Sequence, residues 1–133
     1  MSAAQREPTE PERWLEFARD DLAYGEIGMA AHPRPAAWSF QQAGEKALKA
    51  VFLQRGLKVP RTHDVAFLAS CLAESTAVTP AVTEAALALA SISPGSRYPD
   101  DLTELSPNDA AELARAARVL LDWAQNPCGP SPE

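Results

Sequence analysis

Apolar residues recur every three or four positions through five stretches of the chain, and each stretch is bounded by residues that start or stop helices. Trp14, Ala18, Leu22, Gly25 and Met29 form the first stripe, in a helix predicted from Thr9-Glu-Pro to Ala30 and stopped by His32-Pro-Arg-Pro. A second helix is predicted from Ala36 to Gln54, with Phe40, Gly44, Ala47, Leu48 and Val51 inward and Gly56 as its stop. A third starts at the cap Thr62 and carries Val65, Leu68, Ala69 and Leu72 as far as Glu74. The fourth follows Thr79-Pro80 through Val82, Ala86, Leu89 and Ala90. The fifth follows Ser106-Pro107 with Ala110, Leu113, Ala114, Ala117, Leu120, Leu121 and Ala124, and ends at Asn126-Pro127. Proline suits these starts because the first turn has no intrahelical use for the amide hydrogen that proline lacks.

No stretch alternates in the manner of a strand, and alanine, a strong helix former, fills the periodic segments. The expected fold is all-α: a five-helix, up-and-down antiparallel bundle over residues 11–125, with residues 1–10 frayed or disordered and a disordered tail over residues 126–133. One long connection, Ser91 to Ser106, interrupts the short ones. A loop of that length in so small a domain is more often functional than filler.

The 133 residues fit one domain with a real core. A net charge of −6 argues against a general binder of phosphate backbones. Cys71 and Cys128 have no metal-ligand spacing and indicate neither a disulfide scaffold nor a zinc site, which fits a reducing cytoplasm. No apolar run has membrane-spanning length, and the first residues do not read as a signal peptide. Average charge hides an asymmetry, however. Residues 41–63 sum to +4, with Lys46, Lys49, Arg55, Lys58 and Arg61 against Glu45 alone, whereas residues 1–40 sum to −3 and residues 64–133 to −7. This positive island is either a solvated helix face or a contact for an anionic ligand, RNA or an acidic partner.

On the second helix Gln41, Gln42, Glu45, Lys46 and Lys49 lie opposite the core stripe, and Glu45 is placed to pair with Lys49 one turn on. Phe52 and Leu53 share that side, so the end of this helix is buried on two faces, by helix five or, as the favoured expectation, at a homodimer seam. Asp21 interrupts the first apolar stripe and needs a partner, either a cation such as Arg97 or a helix-terminal amide, or else it positions a functional base or ligand. His63 stands at the start of helix three, as a local hydrogen bonder or a catalyst, while His32 reads as an exposed loop residue. Two unpaired histidines make no metal site. Arg97 and Tyr98 are the candidates on the long loop. Arginine grips phosphate bidentately and tyrosine stacks on a base, but the pair equally suits packing over the bundle end and pairing with Asp100, Asp101 or Asp21.

Four strings stand out along the chain: Ala18-Arg-Asp-Asp-Leu22, the Gln42–Ala50 block, Pro60-Arg-Thr-His63 and Arg97-Tyr-Pro-Asp100. Together they resemble the HEPN family, the "higher eukaryotes and prokaryotes nucleotide-binding" domains, and in particular its small stand-alone prokaryotic members. The resemblance implies a dimerising helical bundle and, in many such proteins, pairing with a minimal nucleotidyltransferase in a toxin–antitoxin system. Ribonuclease members use an arginine followed four to six residues later by histidine. No histidine follows Arg97, and no other arginine here has one at that spacing. Carrying the tyrosine-modification role of some paired toxins to Tyr98 is therefore unwarranted. The expectation is a nucleotide- or partner-binding module without catalytic residues, cofactor or metal, engaging a nucleotide, RNA or a nucleotidyltransferase through Asp21, Gln42, Lys46, Lys49, His63, Arg97 and Tyr98. The alternative is a toxin ribonuclease with a displaced active site, in which His63 substitutes for the missing base.

Overall fold

Among the described residues five helices form where the apolar stripes place them, and there are no strands. The computed structural model describes residue 7, residues 9–92 and residues 105–126. In chain order the helices are α1 (Glu10–Gly28), α2 (Pro33–Gln54), α3 (Val65–Leu72), α4 (Pro80–Ala90) and α5 (Pro107–Gln125). Two of them open on reciprocal caps. The Thr9 hydroxyl accepts from the Glu12 amide while the Glu12 carboxylate accepts from the Thr9 amide, and Ser106 and Asp109 repeat the arrangement on α5.

Two helix starts differ from the sequence expectation. α2 begins at Pro33 rather than Ala36, because both prolines of His32-Pro-Arg-Pro fall in its first turn, where missing amides cost nothing; the Ala36 amide then donates to the His32 carbonyl at 3.1 Å. α3 is capped by Asp64 rather than Thr62, its carboxylate accepting from the Phe67 amide at 3.2 Å. Gly56 ends α2 with φ of +69°, the left-handed conformation that favours glycine.

α2 is the central element and packs on all four other helices. Its inward residues Phe40, Gly44, Ala47, Leu48 and Val51 are fully or almost fully buried. Each large apolar side chain so enclosed contributes about 1.5–3 kcal/mol of transfer free energy. Two glycines set the approach of its neighbours. A methyl group on Gly25 of α1 would stand 2.5 Å from the Phe40 ring, and one on Gly44 would stand 2.6 Å from Leu89 and 3.0 Å from Leu120. On α1, Leu15 joins Ala18, Leu22 and Gly25 as a buried residue, while Trp14 and Met29 are partly buried. Between α1 and α5, Arg118 donates to the carboxylate of Glu26.

The expected homodimer seam at Phe52 and Leu53 needs correction. Phe52 is only 3% exposed within the single chain, so it belongs to the interior of the bundle, while Leu53 is half-buried. Nearby, the Gln54 side-chain amide donates to the Ala124 carbonyl at 3.2 Å and ties the end of α2 to the end of α5. No helix among the described residues is long and apolar enough to cross a membrane.

Candidate functional site

The polar ridge of α2 is partly interior. Gln41 and Glu45, one turn apart, are both buried, and Lys49 follows one turn further on with a side chain 12% exposed. A carboxylate at such a position needs partners, because ionised oxygens lose water on burial. Glu45 finds two at a single oxygen: Oε2 accepts from Lys49 Nζ at 2.8 Å and lies 3.0 Å from His63 Nδ1. An ionised carboxylate only accepts, so this contact places a proton on Nδ1, and in the neutral ring Nε2 then carries the lone pair. The His63 side chain is 73% exposed, whereas that of Glu45 is 6% exposed. A solvent-facing imidazole is thus oriented by an enclosed carboxylate.

Gln41 has a different role. Its Nε2 donates to the carbonyl of Ile92 at 2.8 Å, holding the end of the α4 connection against α2. That bond fixes which way the amide points, since a reversed amide would set oxygen against oxygen. Gln41 Oε1 and Glu45 Oε1 are buried with no hydrogen-bond partner among the described residues.

On the other edge of the ridge, Lys46 Nζ meets Asp21 Oδ2 at 2.5 Å, both side chains being a little over one quarter exposed. The partner of the carboxylate in the α1 stripe is therefore a lysine of α2. Gln42 is half-buried. Arg97 and Tyr98 lie outside the described residues. The structure brings His63 to the α2 ridge through Glu45 and brings Asp21 to it through Lys46. Glu45 and Gln41 were not among the candidate site residues. The i,i+4 spacing to Lys49 was the available signal for Glu45, and nothing in the sequence marks Gln41 as a clamp on residue 92.

With Asp21 and Glu45 committed to Lys46 and Lys49, the ridge is close to electrically neutral. The remaining positive charge of the island projects from the exit of α2, where Lys58 and Arg61 are exposed. An open cavity of about 390 Å³ lies at this exit, lined by Gln54, Arg55, Leu57 and Ser75. No group of three histidine, cysteine or acidic residues suited to a metal gathers among the described residues.

Comparison with known proteins agrees with this architecture. The model of the HEPN domain matches residues 11–126. Among solved structures, TT1696 from Thermus thermophilus is similar at 28% identity and a TM-score of 0.78, covering 89% of this chain and 98% of that one. ST0689, described as an archaeal HEPN homologue, is 23% identical with a TM-score of 0.74, covering 89% and 97% of the two chains. An HEPN domain protein of Thermotoga maritima, TM0613, is 23% identical with a TM-score of 0.72 over 86% and 95%. No curated protein matches the chain. A five-helix bundle centred on α2, matched over nearly its whole length by the domain model, belongs to the HEPN domain family.

Proposed function

We propose that this HEPN domain is a binding module for a phosphate-bearing ligand of the nucleotide class, received at the exit of α2. The observation that carries the reading is the cavity beside Arg55 and Leu57, in a stretch whose exposed Lys58 and Arg61 have no acid between them. Its volume lies in the range of small-ligand sites, about 300–1,000 Å³. Local positive charge on a chain of net charge −6 concentrates an anion at one place rather than over the whole surface. Titration with fluorescent ATP and GTP tests the reading: saturable binding is expected, weakened by Lys58→Ala and Arg61→Ala and by added salt. Absence of binding, or binding indifferent to both variants, would reject it.

A second reading, that the module works by pairing with another chain, is supported by the outer side of α1. Phe17, Tyr24 and Ile27 are exposed there, and Tyr24 and Ile27 border a shallow hollow with Gly28, His32, Pro35 and Ala36. Apolar side chains grouped in this way suit a homodimer contact or a nucleotidyltransferase partner. Light scattering of the purified chain, with and without Tyr24→Lys and Ile27→Lys, measures the first. Co-purification with a co-expressed minimal nucleotidyltransferase measures the second.

A further inference from the structure

We propose that His63 is a phosphoryl-acceptor site, activated by Glu45 and reactive at Nε2. Three observations converge on it. In the neutral ring, the Nδ1 contact to Glu45 Oε2 at 3.0 Å leaves the lone pair on the opposite nitrogen. The carboxylate is buried and also holds Lys49, so its position is fixed by the bundle rather than by solvent. The imidazole is nevertheless 73% exposed. This exposure decides between two uses of an oriented histidine. A general base acting on a bound substrate works best in an enclosed, water-poor site, whereas a group that takes up a phosphoryl unit must be reached by its donor.

The chemistry balances with a donor of the phosphoramidate or acyl phosphate class. The lone pair of Nε2 forms the new N–P bond while the bond from phosphorus to the leaving group breaks, its electron pair departing with that group. For phosphoramidate the leaving nitrogen already carries its protons and departs as ammonia. The ring, bonded to phosphorus at Nε2 and to hydrogen at Nδ1, becomes cationic. Glu45 stands where it offsets that charge, and Lys58 and Arg61 in the preceding loop attract the anionic donor.

His32 supplies an internal control, because it is also exposed but its side chain makes no capping hydrogen bond at the start of α2. The full chain is incubated with phosphoramidate, and acid-labile phosphohistidine is followed at each position by mass spectrometry of peptides kept at alkaline pH. His63 is expected to react roughly 10-fold or more faster than His32, in keeping with a hydrogen bond to a charged partner. Glu45→Gln should bring His63 down to the rate of His32 and leave His32 unchanged. Should that variant fail to fold, the wild-type chain in urea gives the same information, since the two histidines must then react alike. Equal rates in the folded protein, or a His63 rate unaffected by Glu45→Gln in a folded variant, would overturn the proposal. The small donor needs no nucleotide site, so either result leaves nucleotide binding to its own test.

Discussion

Glu45 of α2 and His63, the residue before the α3 cap, are joined by a 3.0 Å contact between Oε2 and Nδ1. The same oxygen accepts from Lys49, so one buried carboxylate oxygen anchors both an ammonium and an imidazole. Removing the carboxylate while keeping the lysine strands a mostly buried positive charge. Glu45→Ala should therefore cost about 3 kcal/mol or more in urea denaturation. The double variant Glu45→Leu, Lys49→Met, which replaces the pair by apolar groups of similar size, should recover most of that loss.

The second ion pair of the ridge behaves differently. Lys46 and Asp21 are each more than one quarter exposed, and water screens much of their attraction. Asp21→Asn should cost less than about 1 kcal/mol in the same assay. A loss as large as that of Glu45→Ala would mean that Asp21 holds more of the fold than this single contact.

The helical glycines at 25 and 28 should separate sharply under substitution by alanine. At Gly25 the added methyl meets the ring of fully buried Phe40, which has little room to turn, and a loss of about 1–3 kcal/mol is expected from overpacking. At Gly28 nothing lies within 4 Å of the new atom. There alanine should be neutral or stabilising by up to about 1 kcal/mol through its better helix propensity. Thermal melts of the two variants measure the contrast directly.

Phe52 offers a test of its corrected position. Enclosed by its own chain, it should cost about 3–5 kcal/mol when cut back to alanine, whatever the protein concentration. A stability loss that shrinks as protein concentration rises would return Phe52 to an interface between copies.

Much of the fold was legible in the sequence because helix interiors obey a period that distant residues cannot change. Phe40, Leu48, Leu68, Leu89 and Leu120 are buried on the faces that their spacing chose. What escaped depends on how helices sit against one another. Whether Phe52 met solvent, a second copy or a neighbouring helix could not be read from α2 alone, and Asp21 reached Lys46 only because α1 crosses α2 at that level. The cap of α3 is Asp64 rather than Thr62 because both residue types accept from helix amides, and local pattern does not rank two good acceptors two positions apart. His63 stands at the entrance to α3 as its spacing implies, but its link to Glu45 joins residues 18 apart in sequence and arises from the fold.

The meeting of Phe40 with Gly25 has a consequence for how α1 and α2 find their places. A flat ring seated in a gap with no side chain acts as an index mark: a slide of one turn that puts Leu22 in that place would drive the ring against a bulkier residue instead of the glycine. Lys46 and Asp21 come opposite each other only in the indexed position. Their ion pair thus reports that the two helices have docked in register, while the shape of the core does the aligning.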